Sequence, residues 1–280
     1  MNIAVSSWSF HEALYKGEMR LAEVPFDVYD LGYRAVELQD MFLWPKPPNR
    51  LLRLLGRKPS AIDLHAYDRK ALRGVRLNRF RSGTQLVCWA IDSDLASEAA
   101  EHEAQLAYLG AAIQTARYLN APLLRITSGG EARDQAAFDR AVNLMRSVLP
   151  AAIAAGVKLA IENHGGWSND PDALLEFVQK CRGVQPNTLT ASYLGVCLDF
   201  GNFERDPQAA IAKLAPYAIH VHAKSRAFDA AGEEATIDYK MSLTALKSVG
   251  YTGSISIEFE GEGDPAEGIR KTRDLIEKYG

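Results

Sequence analysis

Cysteine is scarce in this sequence, and its distribution is informative. The chain of 280 residues has three, Cys88, Cys181 and Cys197. They are odd in number and far apart, which argues against a disulfide framework and against a cysteine-based zinc site. Charge of one sign is also lacking: 32 Lys and Arg face 35 Asp and Glu, for a net charge of -3. Nothing in this balance suggests a polyanion-binding surface, and no nucleic-acid partner is expected. No apolar run is long enough to cross a bilayer, so no membrane partner is expected. The opening MNIAVSSWSF has no basic region followed by a long apolar stretch, so no signal peptide is expected and a cytoplasmic location is the default. Low-complexity linkers and internal repeats are missing too. Residues 1–280 therefore read as a single domain.

What is present is an alternation. Composition is that of an ordinary globular chain, 47% hydrophobic and 24% charged. Short apolar or β-branched runs predict strands at 2–7, 35–38, 84–92, 123–127, 158–163, 194–200, 218–222 and 254–260. Between them lie stretches of helical period, such as 95–119 and 135–155. Asp94, Asp170-Pro171 and Asp264-Pro265 read as helix starts, with an N-cap carboxylate and, in the last two, proline at the first helical position. Eight strand–helix units imply a parallel sheet closed into a (β/α)8 TIM barrel. The region 40–66 is rich in proline and reads as an irregular insertion, with SAIDLHA at 60–66 as a ninth strand candidate; 67–82 reads as the second helix.

The second half of the chain carries the chemistry. LAIEN ends at Glu162, GVCLDFGN at Asp199, AIHVHAK at His222 and SISIEFEG near Glu258. The gaps of 37, 23 and 36 residues suit one or more βα units each, so all four ends can converge on one rim. Two glutamates, an aspartate and a histidine form a hard donor set that suits one divalent metal ion, Mn2+ or Mg2+ first, with Co2+, Fe2+ or Zn2+ as alternatives. A lone carboxylate at a strand end is usually a cap or a solvated rim charge. Three carboxylates and a histidine on four successive strands, each after core-like residues, are harder to explain that way, because buried carboxylates without partners are costly.

In order and spacing, ENHGG, LDFGN, HVHAK and SIEFEG resemble the xylose isomerase-like superfamily of sugar-phosphate isomerases and epimerases. The resemblance covers essentially the whole chain and is strongest from 157 to 279. It implies a metal held by Glu162, Asp199, His222 and Glu258. It selects His222 over His220 and Glu258 over Glu260, choices that strand alternation alone leaves open, since each pair shares a face. It also implies Glu162 and Glu258 as the proton-transferring carboxylates, acting next to a carbonyl that the metal polarises. The substrate would be a small carbohydrate: a sugar, sugar phosphate or polyol-derived ketone.

Further candidates for substrate binding are Glu37, Arg125, His164, Asn202, Lys224 and Arg226. Each has an ordinary structural use as well: a bonded strand residue for Glu37, a partner to a site carboxylate for Arg125, backbone bonding near a turn for His164, and solvated loop charges for Lys224 and Arg226. Asn202 marks a departure. The family's ketose 3-epimerases carry histidine three residues after the strand-six aspartate, so a direct 3-epimerase assignment is weakened. Trp8, Trp89 and Trp167 fall near expected mouth positions, where packing is a commoner use than sugar stacking. His65 resembles a family rim histidine, and His11 and His102 receive no role. Three other readings stay open: a lyase or dehydratase on a keto-sugar or inosose, an abasic-site endonuclease with a zinc cluster, and a sugar-binding barrel without catalysis. The low histidine count and the negative charge disfavour the endonuclease, and the intact donor set disfavours the non-catalytic barrel. A homo-oligomer is an open alternative to a monomer.

Overall fold

The computed structural model describes residues 1–43, 69–129, 134–183 and 189–280. Eight strands form a closed barrel in chain order: β1 Asn2–Ser6, β2 Ala35–Gln39, β3 Gln85–Ala90, β4 Leu123–Ile126, β5 Lys158–Glu162, β6 Leu194–Asp199, β7 Ala218–Ser225 and β8 Ser254–Phe259. Every neighbouring pair is parallel, and β1 closes on β8 through Asn2 opposite Ser254 to Val5 opposite Ile257. The expected (β/α)8 architecture is the one observed.

Alternation along the strands separates two cores. Outward residues such as Val36, Leu38, Leu124, Ile126, Leu159, Ile161, Val196, Leu198, Ile255 and Ile257 pack against the surrounding helices. Inward positions hold mostly small residues, Ala4, Ala35, Cys88, Ala90, Ala160 and Cys197, which with Leu123 and Val87 form a separate cluster. Small walls leave room on the barrel axis, and the fully buried Glu37, His220 and His222 occupy it. Two register shifts set their height. One lies between Val36 and Glu37, the other between Val196 and Cys197; the second places His220 opposite Cys197 and His222 opposite Asp199. Bulges of this kind re-aim side chains near active sites.

Among the described residues the helices are α1 His11–Lys16, α2 Val24–Asp30, α3 Arg69–Ser82, α4 His102–Leu119, α5 Gln135–Ala155, α6 Pro171–Arg182, α7 Leu189–Tyr193, α8 Pro207–Leu214, α9 Tyr239–Ser248 and α10 Pro265–Tyr279. Helix α5 matches its expected bounds, with Asp134 capping Ala136 N. Asp170 and Asp264 cap α6 and α10 as expected, each ahead of a proline at the first helical position. Asp94 does not open a helix. Its carboxylate accepts from Ala96 N at 3.1 Å and Leu95 N donates to Ser128 O at 3.0 Å, so 94–98 is held as a loop against the segment after β4. Helix α4 consequently starts at His102, after a short 3-10 turn. Strand β7 runs to Ser225, three residues beyond its expected end. Of the expected insertion, Asp40–Phe42 form a 3-10 turn, whereas 44–66, with His65 and the ninth strand candidate, lie outside the described residues. Among the described residues no helix is long and apolar enough to cross a membrane.

Candidate active site

The C-terminal strand ends bring four donors together at the mouth. Glu162 ends β5, Asp199 ends β6, His222 lies in β7 and Glu258 in β8, and all four are buried. One ligand atom from each lies within 4.8 Å of the others, a spacing that a single divalent ion can bridge. The geometry centres on the His222 ring. Its Nδ1 is 3.1 Å from Glu162 Oε1, 3.5 Å from Glu258 Oε2 and 3.8 Å from Asp199 Oδ2. Its Nε2 faces the other way, 3.0 Å from Glu37 Oε1.

The surrounding residues set the charge of each group. Glu162 Oε2 lies 3.1 Å from Arg125 Nε, and Asn202 Nδ2 donates to Glu162 Oε1 at 3.3 Å. Burial works against charge on Glu162, but Arg125 and His222 outweigh it and hold the carboxyl well below the usual range. Asp199 is pushed upward by burial, with Lys224 offsetting part of this. Glu258 is pushed up to about 7, burial exceeding the help of His222 and Lys224, while Ser6 Oγ donates to it at 3.1 Å and Gln39 Nε2 at 3.4 Å. Burial opposes charge on His222, yet Cys197, Glu258, Glu37 and Glu162 around it push its value well upward. Three carboxylates facing one ring nitrogen call for positive charge there, as a proton or as a metal ion. Glu162 Oε2 and Asp199 Oδ2 are buried and accept no hydrogen bond among the described residues; their cations, Arg125 Nε and Lys224 Nζ at 3.3 Å, lie near but poorly aligned. Oxygens held this way fit a divalent cation.

The other candidates divide. Arg125 is buried between Glu162 and Asp92, whose Oδ1 lies 2.8 Å from its Nη1. Lys224 is buried too, and reaches Asn202 Oδ1 at 2.9 Å, Glu260 Oε1 at 3.1 Å and Asp199 Oδ2. Burial works against its charge, but Asp199, Glu258 and Glu260 keep it protonated far above the usual range. Arg226 is exposed and pairs with Glu260 at 3.4 Å. His164 is exposed beyond Glu162, with its backbone N–H bonded to Ser168 Oγ at 3.0 Å. Glu37 is enclosed beneath the donor set. Trp89 and Trp167 are buried, whereas Trp8 is half-buried, donates from its indole to Glu260 Oε1 at 2.7 Å and stacks on His11.

Several site residues escape a reading of the sequence. Asn163 clamps the ends of β5 and β6: its amide donates to Asp199 O at 3.0 Å and accepts from Asp199 N at 2.8 Å. Its position beside Glu162, on the opposite face, is the one signal that could have found it. Ser6 and Gln39 steady Glu258 from strands more than 200 residues away, and nothing local marks them.

The comparisons with known proteins agree with this architecture. The family model for the xylose isomerase-like TIM barrel matches residues 27–279, and the chain belongs to that family. Among solved structures, a D-psicose 3-epimerase determined in the presence of D-fructose shares 17% identity, with a TM-score of 0.70 over 99% of this chain and 98% of that one. A probable 3-DHS dehydratase from Bacillus anthracis shares 14% identity, with a TM-score of 0.69 over 99% of both chains. A xylose isomerase-like TIM-barrel protein from Mycobacterium smegmatis, solved in complex with magnesium, shares 18% identity, with a TM-score of 0.68 over 99% and 95%. Among curated proteins none matches the sequence.

Proposed function

We propose that the protein is a divalent-metal-dependent isomerase or epimerase acting on a small sugar or polyol-derived ketone. The observation that supports this most is the cage of three buried carboxylates around His222 Nδ1. Held by Glu162, Asp199, His222 and Glu258, a divalent ion would polarise the carbonyl of a bound ketone. Glu162 and Glu258 reach the site from β5 and β8, so they approach a bound substrate from different sides of the ring. One of them removes the proton from the carbon beside the carbonyl. Return of that proton at the neighbouring carbon gives aldose–ketose isomerisation. Delivery by the other carboxyl to the opposite face of the same carbon gives epimerisation. Glu258, bonded by Ser6 and Gln39, is the group placed to deliver it once protonated. Arg125 holds Glu162 ionised, which suits it to be the base. Asn202 and Lys224 fix the far side of the cage and leave the exposed His164 and Arg226 to meet substrate oxygens.

The test is proton exchange with deuterated water across a panel of ketoses, inososes and keto-glycosides, followed by NMR with Mn2+ or Mg2+ present. Deuterium is expected beside the carbonyl of at least one compound. Glu162→Gln and Glu258→Gln are each expected to slow its entry by about 100-fold or more with circular dichroism unchanged. Wild-type exchange from both variants, or none from the native protein across the panel, would remove the reading. Product analysis of the exchanging compound separates isomerase, epimerase and lyase.

A further inference from the structure

We infer that Glu37 is a positioning residue: it takes the Nε2–H of His222 and so leaves Nδ1, which faces the carboxylates, as the nitrogen that gives up its proton when a metal ion binds. The inference rests on the reading of Glu162, Asp199, His222 and Glu258 as metal ligands. Glu37 is fully buried on β2, on the Nε2 side of the His222 ring, away from the three carboxylates that face Nδ1. Its two oxygens are divided between two rings. Oε1 lies 3.0 Å from His222 Nε2, and Oε2 lies 2.6 Å from His220 Nε2. Ser256 Oγ, at 3.1 Å from His220 Nε2, steadies the lower ring.

An ionised carboxylate only accepts hydrogen bonds, so both facing ring nitrogens carry hydrogen. A metal-ligating imidazole needs a free lone pair, and with hydrogen on Nε2 that pair is on Nδ1, the nitrogen facing Glu162, Glu258 and Asp199. Carboxylates behind ligating histidines fix tautomer and ring orientation in this manner. The same geometry gives His220 and His222 different tasks, although they share a strand face. The Nε2 of His220 is committed to Glu37, and its ring stands nearly perpendicular to that of His222, at 85°. His220 therefore holds the holder.

The experiment is calorimetric titration of metal-free protein with Mn2+, for wild type, Glu37→Gln and His220→Gln. In Glu37→Gln the amide accepts at one end only and presents N–H to one of the rings, so binding is expected to weaken about 10- to 100-fold. His220→Gln retains a donor for Oε2 and is expected to bind within about threefold of wild type. Nitrogen-15 spectra of the histidines in Zn2+-loaded wild type should show hydrogen on Nε2 of His222 and none on Nδ1. If Glu37→Gln binds within about twofold of wild type, the inference falls and the ligand reading stands. If wild type binds no Mn2+, both fall. Should Glu37→Gln not fold, the wild-type spectra still decide, since hydrogen on Nδ1 of His222 would refute the arrangement.

Discussion

Replacing Asp40 by asparagine probes how the mouth of the barrel handles charge. Asp40 follows β2 directly, is 4% exposed, and accepts from Tyr108 Oη at 3.1 Å. Burial, and then the negative charge of Asp92, push its carboxyl up from an ordinary 3.8 to about 7. A carboxyl raised by folding keeps its proton longer in the native chain than in the unfolded one. Between about pH 4 and 7 the native state therefore binds more protons, and stability falls as pH rises through that window. At about 1.36 kcal/mol per decade, the full difference is about 4 kcal/mol, an upper figure because relaxation and water entry reduce such penalties. Asparagine carries no charge to bury and still offers Tyr108 an acceptor. Asp40→Asn is expected to match wild type near pH 4 and to exceed it by about 2–4 kcal/mol near pH 8, or about 5–10 °C in melting temperature. Calorimetric scans of both proteins across that range check it. Parallel pH curves, or a variant that loses ground to wild type as pH rises, would refute the electrostatic argument.

Two further predictions concern the site's cations. Stripping the protein with a chelator is expected to lower its melting temperature, and Mn2+ restored at about 100 times its dissociation constant should return about 2.7 kcal/mol; a melting temperature indifferent to chelator and ion would contradict an ion at the donor set. Lys224→Met removes the cation shared by Asp199 and Glu260, which lie 3.3 and 3.1 Å from its Nζ. Breaking a buried pair in this way is expected to destabilise by about 3–5 kcal/mol in urea unfolding, and an unchanged midpoint would show that Lys224 contributes little.

The barrel itself was open to a reading of the sequence because its strands are buried on both faces. Such strands stand out as short apolar runs, and all eight lie where the runs predict them. The four donors were visible because each is a polar residue ending such a run. What the sequence hides is pairing at a distance. Glu37 sits 183 residues from His220 and 185 from His222, and Trp8 sits 252 from Glu260, so no spacing rule joins them. The extension of β7 through Lys224 was missed because lysine and serine are poor strand formers; their partners, Asp199 and Glu260 for Lys224 and Thr272 for Ser225, come from other elements. Asp94 misled for the opposite reason. An aspartate ahead of a helical pattern is a good capping signal, but an Asx turn uses the same side chain in the same way, and only the tertiary bond from Leu95 to Ser128 shows which one forms.

Ring closure between β1 and β8 also has a bearing on when the protein becomes competent. The four donors all come from the later half of the chain, yet Glu258 is bonded by Ser6 from the first strand and Gln39 from the second, and Glu162 faces Arg125 from the fourth. A sheet assembled only from β4 to β8 would hold the acidic cluster without the bonds that Ser6 and Gln39 make to Glu258. Glu258 thus takes its final placement only with the last seam, and a molecule that loses its opening strand should forfeit that corner of the centre first.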